Sequence, residues 1–232
     1  MDRLLSPAET EIVMLSLRVS LVAVAASLPI GIALAYLLSR GSFWGKSVLD
    51  GVVHLPLILP PVVTGYALLL LLGRHGPLGR LLDDIGIVLA FRWTGAAVAA
   101  AVMGLPLMVR PIRLSLDAIP PKLELAASTL GARPIWVFLT VTLPLMIPGI
   151  LTGAVLSLGK SLGEFGATIM FVSNIPGETE TLPLAIYASV QEPGGEAEAL
   201  RLTIISLALS MAALIVSEYL SRRAQRRLTG AR

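Results

Sequence analysis

The composition of the chain excludes a soluble domain. The chain has 232 residues, of which 55% are hydrophobic and only 14% are charged, and its mean hydropathy is +0.83. A soluble domain of this length carries about 25% charged residues, so the composition predicts an integral membrane protein. The absence of cysteine excludes a disulfide scaffold, a cysteine-ligated metal site and a cysteine nucleophile. The pI near 9.6 would suit nucleic-acid binding, but the positions of the basic residues favour a membrane explanation instead.

Five stretches are apolar enough to cross a bilayer, which requires about 20 residues per helix. They are predicted at about 12–38, 48–73, 93–113, 145–171 and 200–220. Turn-forming residues separate them, and no internal repeat or linker to a soluble domain is visible. We therefore predict an all-α fold, a polytopic membrane helix bundle of five transmembrane helices with a cytoplasmic loop, in a single domain over 1–232.

The second stretch contains three prolines, Pro56, Pro60 and Pro61. Each proline removes a backbone donor and clashes with the preceding turn. In lipid the freed carbonyls need partners within the protein or in a wet cavity. Two interpretations stay open: a kink tolerated against neighbouring helices, or a broken helix that lines a transport pathway.

An amphipathic segment at 114–144 separates the third stretch from the fourth. At helical spacing, one face carries its small and apolar residues: Leu123, Ala126, Ala127 and Leu130. Gly131 can adopt the left-handed conformation that ends a helix, and Pro134 suits the first turn of a second short helix. The segment is either an interfacial helix lying on the bilayer or a docking element for a partner protein.

The fourth stretch carries two charges, Lys160 and Glu164, one helical turn apart. A charge at the bilayer centre costs about 2.5–3.5 kcal/mol on insertion scales, so both side chains must face protein or water. The sequence leaves open a structural ion pair between helices or a polar lining where an anion passes. Three nearby glycines, Gly159, Gly163 and Gly166, suit close packing at a dimer interface.

The chain has no evident site for chemistry of its own. Gly159-Lys160-Ser161 is not a phosphate-binding loop, because Ala154 stands where that motif requires glycine. The two histidines, His54 and His75, show no metal-ligand spacing. We predict no catalytic residue, no metal site and no bound cofactor, so any energy must come from a separate subunit.

The basic residues predict the orientation of the chain. If the C-terminus is cytoplasmic, the inside segments hold more than twice as many Lys and Arg residues as the outside ones, and the positive-inside rule is met. The inside set is Arg40, Lys46, Arg110, Arg113, Lys122, Arg133, Arg222, Arg223, Arg226, Arg227 and Arg232; the outside set is Arg3, Arg74, Arg80, Arg92 and Arg201. The N-terminus is then periplasmic, the segment 114–144 is cytoplasmic, and the basic run near the C-terminus anchors to lipid headgroups instead of nucleic acid.

The segment 114–144 resembles the EAA loop of ABC-transporter permeases, roughly E-A-A-x-x-x-G followed after nine residues by I-x-L-P. The chain has Ala126-Ala127, Gly131 and Leu143-Pro144 at that spacing, while Leu125 takes the place of the family's glutamate and Glu124 precedes it. The resemblance implies that an ATPase acts on this loop. The residues implied are Glu124, Leu125, Ala126, Ala127, Gly131, Ala132, Leu143 and Pro144.

Three further runs, 54–66, 161–167 and 171–179, resemble the permease subunit of bacterial molybdate ABC importers. The run around Gly163-Glu164-Phe165-Gly166 also resembles tungstate and sulfate permeases, whereas the proline-rich run favours molybdate. We predict a translocation pathway or dimer interface at Pro60, Pro61, Lys160, Ser161, Gly163, Glu164, Phe165 and Gly166.

The same resemblance implies the assembly and its location. It implies a homodimer in the bacterial inner membrane, two cytoplasmic ATPase subunits that use ATP and Mg, and a periplasmic molybdate-binding protein. The rival interpretation is a channel that needs no ATP, or a membrane-embedded enzyme.

Overall fold

The computed structural model describes residues 6–228, and every regular element in that range is helical. Arg3 and Arg232 lie outside the described residues, and the side chains of the basic run at 222–227 are not described. In chain order the elements are α1 (Pro7–Arg40), α2 (Lys46–Ile58), α3 (Pro61–Leu72), α4 (Pro77–Asp83), α5 (Trp93–Asp117), α6 (Pro121–Thr129), α7 (Pro134–Val137), a π-helical turn (Phe138–Thr142), α8 (Leu143–Leu162), α9 (Gly166–Val172), α10 (Leu182–Gln191) and α11 (Glu196–Leu228).

Within the described residues, four helical stretches are long and apolar enough to cross a membrane. They are Pro7–Arg40, Trp93–Asp117, Pro134–Leu162 and Glu196–Val216. The pair α2 and α3 passes the same test together but is bent by 117° at its break. Four of the five predicted spans therefore correspond to, or overlap with, one long helix each, and the second corresponds to the bent pair.

Helix α5 forms the centre of the bundle and packs on both α1 and α8. Small residues allow these helices to approach closely, as is common in membrane bundles. At Gly153 of α8 an added Cβ would lie 2.6 Å from the backbone carbonyl oxygen of Met108, and at Gly31 of α1 it would lie 2.9 Å from the Met108 sulfur. At Gly153 the neighbour is backbone, so α5 and α8 are held at a separation that only glycine permits there.

The start of α1 is fixed by a buried carboxylate. Ser6 and Glu9 form a reciprocal capping box, and Glu9 also accepts a hydrogen bond from the Arg201 Nε at 2.9 Å. Two turns further on, the Ser16 hydroxyl accepts the Leu182 N–H at 2.7 Å. These contacts join α1 to the second turn of α11 and to the first residue of α10.

Candidate functional site

The second apolar stretch is broken at Pro60-Pro61, with a bend of 117° between α2 and α3. Leu59 is extended (φ −70°, ψ 144°) and its N–H closes α2 on the Leu55 carbonyl. Pro60 and Pro61 then start α3 in a new direction. Consecutive prolines can donate no backbone hydrogen bond and disfavour the helical conformation before them, so the break falls at this pair. Pro56, by contrast, lies inside α2 without ending it.

The fourth stretch is also broken, and the predicted single helix over 145–171 was wrong. Helix α8 ends at Leu162, and α9 starts at Gly166. The Glu164 Oε1 accepts the Ala167 N–H at 2.9 Å, so the carboxylate satisfies a free donor in the first turn of α9. The glycines on both sides of Glu164 are a sequence signal for this break. The prediction missed it because the surrounding residues are apolar.

The two breaks lie side by side. An added Cβ on Gly166 would lie 2.7 Å from the Pro61 Cβ, and one on Gly65 would lie 2.8 Å from the Ala167 Cα. The first turns of α3 and α9 are therefore in direct backbone contact. The structure brings together Pro60-Pro61 and Gly163–Gly166, two runs about a hundred residues apart in the sequence. We call this region the junction.

A charged pair lies at the junction. The Lys160 Nζ is 2.6 Å from the Glu164 Oε2, at ion-pair distance although without the alignment of a hydrogen bond. The Glu164 side chain is 1% exposed and the Lys160 side chain 28%. The pair is local to one segment, whereas the structural alternative considered from the sequence was a pair between helices. Removal of the Lys160 amine would leave the buried carboxylate with one N–H donor and no counter-charge, and neutralising Glu164 would leave the amine without its partner.

The other predicted residues of this region fall into two groups. Ser161 is buried, with its hydroxyl 3.5 Å from the Ala100 carbonyl, and the Phe165 ring contacts the Tyr187 ring with centroids 4.9 Å apart. Gly159 and Gly163 are exposed, and an added Cβ on Gly159 would have no neighbour within 4 Å in the described residues. The surface beside the half-buried Lys160 therefore carries no side chain at Gly159 and Gly163.

Helix α6 lies apart from the body of the subunit. It buries none of its residues, and Leu125 and Leu130 are 63% and 89% exposed. Gly131 has φ +84° at the end of the helix, as its position predicted. On the face predicted from the sequence, Leu123, Ala126 and Leu130 are exposed, whereas Ala127 is half-buried.

Glu124 attaches α6 to two other elements. Its Oε1 accepts the Thr142 hydroxyl at 2.8 Å, and its Oε2 is 3.3 Å from the Arg40 Nε at the end of α1. The Arg40 Nη2 also donates to the Ile119 carbonyl at 3.2 Å. Arg40 and Thr142 were not predicted as site residues, because their distances in sequence from Glu124 carry no periodic signal.

Leu143-Pro144 does not separate a second short helix from the fourth span. The stretch Pro134–Leu162 is continuously helical, so the inter-span segment is 118–133 in place of the predicted 114–144. The π-helical turn precedes Pro144, and the Leu143 N–H bonds to the Phe138 carbonyl five residues back. A proline deprives the preceding turn of a donor, and a π turn is one way a helix absorbs that loss.

Comparison with known proteins places the chain in a family. The family model described as binding-protein-dependent transport system inner membrane component matches residues 27–226. The molybdenum transport system permease protein ModB of Escherichia coli (strain K12) is 58% identical over 225 residues, covering 97% of this chain and 98% of that protein. ModB of Haemophilus influenzae is 52% identical over 221 residues (95% and 96%), and the sulfate transport system permease protein CysT of Salmonella typhimurium is 36% identical over 200 residues (86% and 72%).

Solved structures share the fold. A bacterial alginate ABC transporter, in complex with its alginate pentasaccharide-bound periplasmic protein, superposes with a TM-score of 0.74 at 19% identity over 94% of this chain and 80% of that one. The MetNI methionine ABC transporter, in inward-facing conformations, gives 0.66 at 17% identity over 94% of both chains. The matches by family model and by sequence span nearly the whole helical bundle, and the chain therefore belongs to the family of binding-protein-dependent transport system inner membrane components.

Proposed function

We propose that the chain is the permease subunit of an ATP-driven importer that moves molybdate across the cytoplasmic membrane. The observation that carries the proposal is the 58% identity to a molybdenum transport permease over 97% of the chain, against 36% over 86% for a sulfate permease. The alternative is transport of another tetrahedral oxyanion, tungstate or sulfate. A channel without an ATPase, or a membrane enzyme, would not explain the exposed α6.

The test is transport by the reconstituted complex. Proteoliposomes that contain the permease and its ATPase receive binding protein loaded with molybdate, tungstate or sulfate at equal concentration. We expect molybdate-loaded protein to stimulate ATP hydrolysis and to give uptake of radiolabelled molybdate. A higher kcat/KM of uptake with sulfate-loaded than with molybdate-loaded binding protein would identify sulfate as the transported anion.

We infer that α6 is the element on which a separate ATPase acts, with ATP and Mg bound by that partner. Its exposed Leu125 and Leu130, and the positive-φ Gly131 that follows, give a short protruding helix with apolar groups available to a partner groove. The predicted coupling residues, from Glu124 to Pro144, then lie on the cytoplasmic side. The N-terminus would be periplasmic, where a binding protein delivers the anion to a homodimer of permeases.

One long helix would transmit the movement of α6 to the junction. Pro134–Leu162 contains 29 residues, about 43 Å at 1.5 Å per residue, and connects the end of the α6 segment to the junction. Movement of α6 would be transmitted to the break between α8 and α9, where Lys160 and Glu164 lie. Broken helices that meet near the bilayer midplane form the substrate path in many transporters, so we assign the pathway and the dimer interface to the junction.

A further inference from the structure

A cavity lies at the end of the bundle opposite α6, between the end of α3 and the loop that leads into α5. Its volume is about 520 Å³, and its lining includes Gly73, Arg74, His75, Phe91 and Arg92. A second cavity of about 330 Å³ shares Arg92 and extends to Trp93. This region took no part in the site described above.

The ionisable side chains that line the larger cavity are all basic. Two arginines and a histidine line it together with apolar residues, and no carboxylate is among its lining residues. Among the side chains that the structure describes, neither Arg74 nor Arg92 has a carboxylate within ion-pair distance. Asp83 and Asp84, although on the same connection, lie outside the lining. Two solvent-exposed arginines therefore line the cavity, and none of its lining residues carries a counter-charge.

A third guanidinium and the backbone reinforce this arrangement. The Arg18 Cζ lies 3.7 Å from the centroid of the Trp93 ring, which places another cation beside the smaller cavity. Glu178, a carboxylate at this end, is directed to the Trp93 N–H at 3.4 Å. The walls are shaped by close backbone contacts: a Cβ on Gly79 would overlap the Gly73 carbonyl oxygen, so α4 folds back tightly on the end of α3.

We propose that this cavity is a binding site for a tetrahedral oxyanion, held by Arg74 and Arg92 with His75 as an additional donor. Guanidinium groups bind such anions through pairs of charge-assisted hydrogen bonds, and the cavity exceeds the size of one hydrated oxyanion. The anion is either a free one, molybdate or sulfate, or the phosphate of a lipid headgroup. The assignment depends on the cavity and not on the proposed transport function, and its test measures binding instead of uptake.

The test is equilibrium dialysis of the detergent-solubilised permease–ATPase complex with radiolabelled molybdate or sulfate, without binding protein. We expect saturable binding, weakened roughly tenfold or more in the double variant Arg74→Gln/Arg92→Gln because two charge-assisted contacts are lost. The matched control is Arg80→Gln, which removes a basic residue of the same connection outside the lining and should leave binding unchanged. The variant Arg74→Lys/Arg92→Lys should retain part of the affinity, and gel filtration verifies that each complex assembles.

A second arm identifies the source of the anion. Native mass spectrometry counts the phosphatidylglycerol molecules retained by each complex. Unchanged oxyanion affinity, together with loss of one lipid per permease in the double Gln variant, would also support the site and assign it to a headgroup. If neither oxyanion nor lipid binding differs between the double Gln variant and wild type, the proposal is overturned. A third measurement compares the affinity of the wild-type and double Gln complexes for the binding protein, and a loss of that affinity alone would overturn the proposal in favour of a protein-docking surface.

Discussion

At the scale of single residues, Glu164 makes two interactions that the sequence did not distinguish. Glu164 closes the first turn of α9 through the Ala167 N–H and is paired with Lys160 at 2.6 Å. The hydrogen bond of Glu164 to the α9 backbone does not depend on a bound anion. The exposed part of Lys160, by contrast, is available to solvent or to a partner subunit. The two residues should therefore respond differently to substitution.

We expect Glu164→Gln to lower both assembly and transport, because it leaves Lys160 uncompensated and weakens the cap of α9. Breaking a buried pair typically costs about 3–5 kcal/mol. The double change Lys160→Met/Glu164→Gln should restore assembly but not uptake. Assembly is measured by gel filtration and thermal unfolding of the complex, and uptake in proteoliposomes.

Two other results would change this view. Normal assembly of every variant with lost uptake would make the pair a pathway element only. Normal assembly and normal uptake throughout would remove any functional role.

At the scale of elements, α6 is held by Glu124 on one side and exposed on the other. Its contacts with Arg40 and Thr142 are polar and lie at its base, while Leu125 projects away. The exposed side is the part of α6 that the proposed ATPase would contact.

We expect Leu125→Glu to uncouple ATP hydrolysis from uptake without affecting membrane insertion, because a charge would be desolvated in the partner's groove. The matched control is Leu125→Met, which keeps an apolar side chain of similar volume. Co-purification of the ATPase and uptake per ATP hydrolysed are the measurements. Wild-type coupling in the Glu variant would contradict the docking role of α6.

The contact between α5 and α8 is limited by glycine. Gly153→Ala would place a Cβ 2.6 Å from the Met108 carbonyl oxygen, and we expect a loss of about 1–3 kcal/mol, the usual cost of overpacking. Gly51→Ala is the control, since an added Cβ there meets nothing within 4 Å of the described residues and alanine favours a helix. Thermal unfolding in detergent measures both, and equal stability would refute the close-contact argument.

At the scale of the whole molecule, the topology depends on the bent pair α2 and α3: if the pair crosses once, the chain has five crossings and its termini lie on opposite sides. The connection at 73–92 and the segment at 118–133 then face opposite compartments, because α5 crosses once between them.

We expect a reporter that is active only in the periplasm to be active when inserted near Asp83 and silent when fused to the C-terminus. An insertion after Ser128, in α6, should also be silent. An active reporter at α6 would place the proposed ATPase-binding surface in the wrong compartment, and would mean that the pair α2 and α3 re-enters instead of crossing.

Much of this architecture was accessible from the sequence because hydropathy and glycine or proline positions act locally. The apolar stretches, the left-handed Gly131 and the start of a helix at Pro134 each depend on residues close in the chain. The spacing from Gly131 to Leu143-Pro144 carried the family resemblance, and with it the expectation of a permease. The break at Pro60-Pro61 was foreseen as one of two outcomes, since two adjacent prolines remove two backbone donors.

Only the tertiary structure decided which distant segments meet. The break at Gly163–Phe165 was hidden because the apolar residues on either side of it continue one hydropathic stretch, and it is stabilised by the Glu164 side chain, which caps α9. The contact of Pro61 with Gly166 depends on how α3 and α9 pack, and the attachment of Glu124 to Arg40 depends on where α1 ends. Hydropathy specifies which residues enter the membrane, but lipid is equally apolar on every side, so the partners of each helix are chosen by close packing and hydrogen bonds.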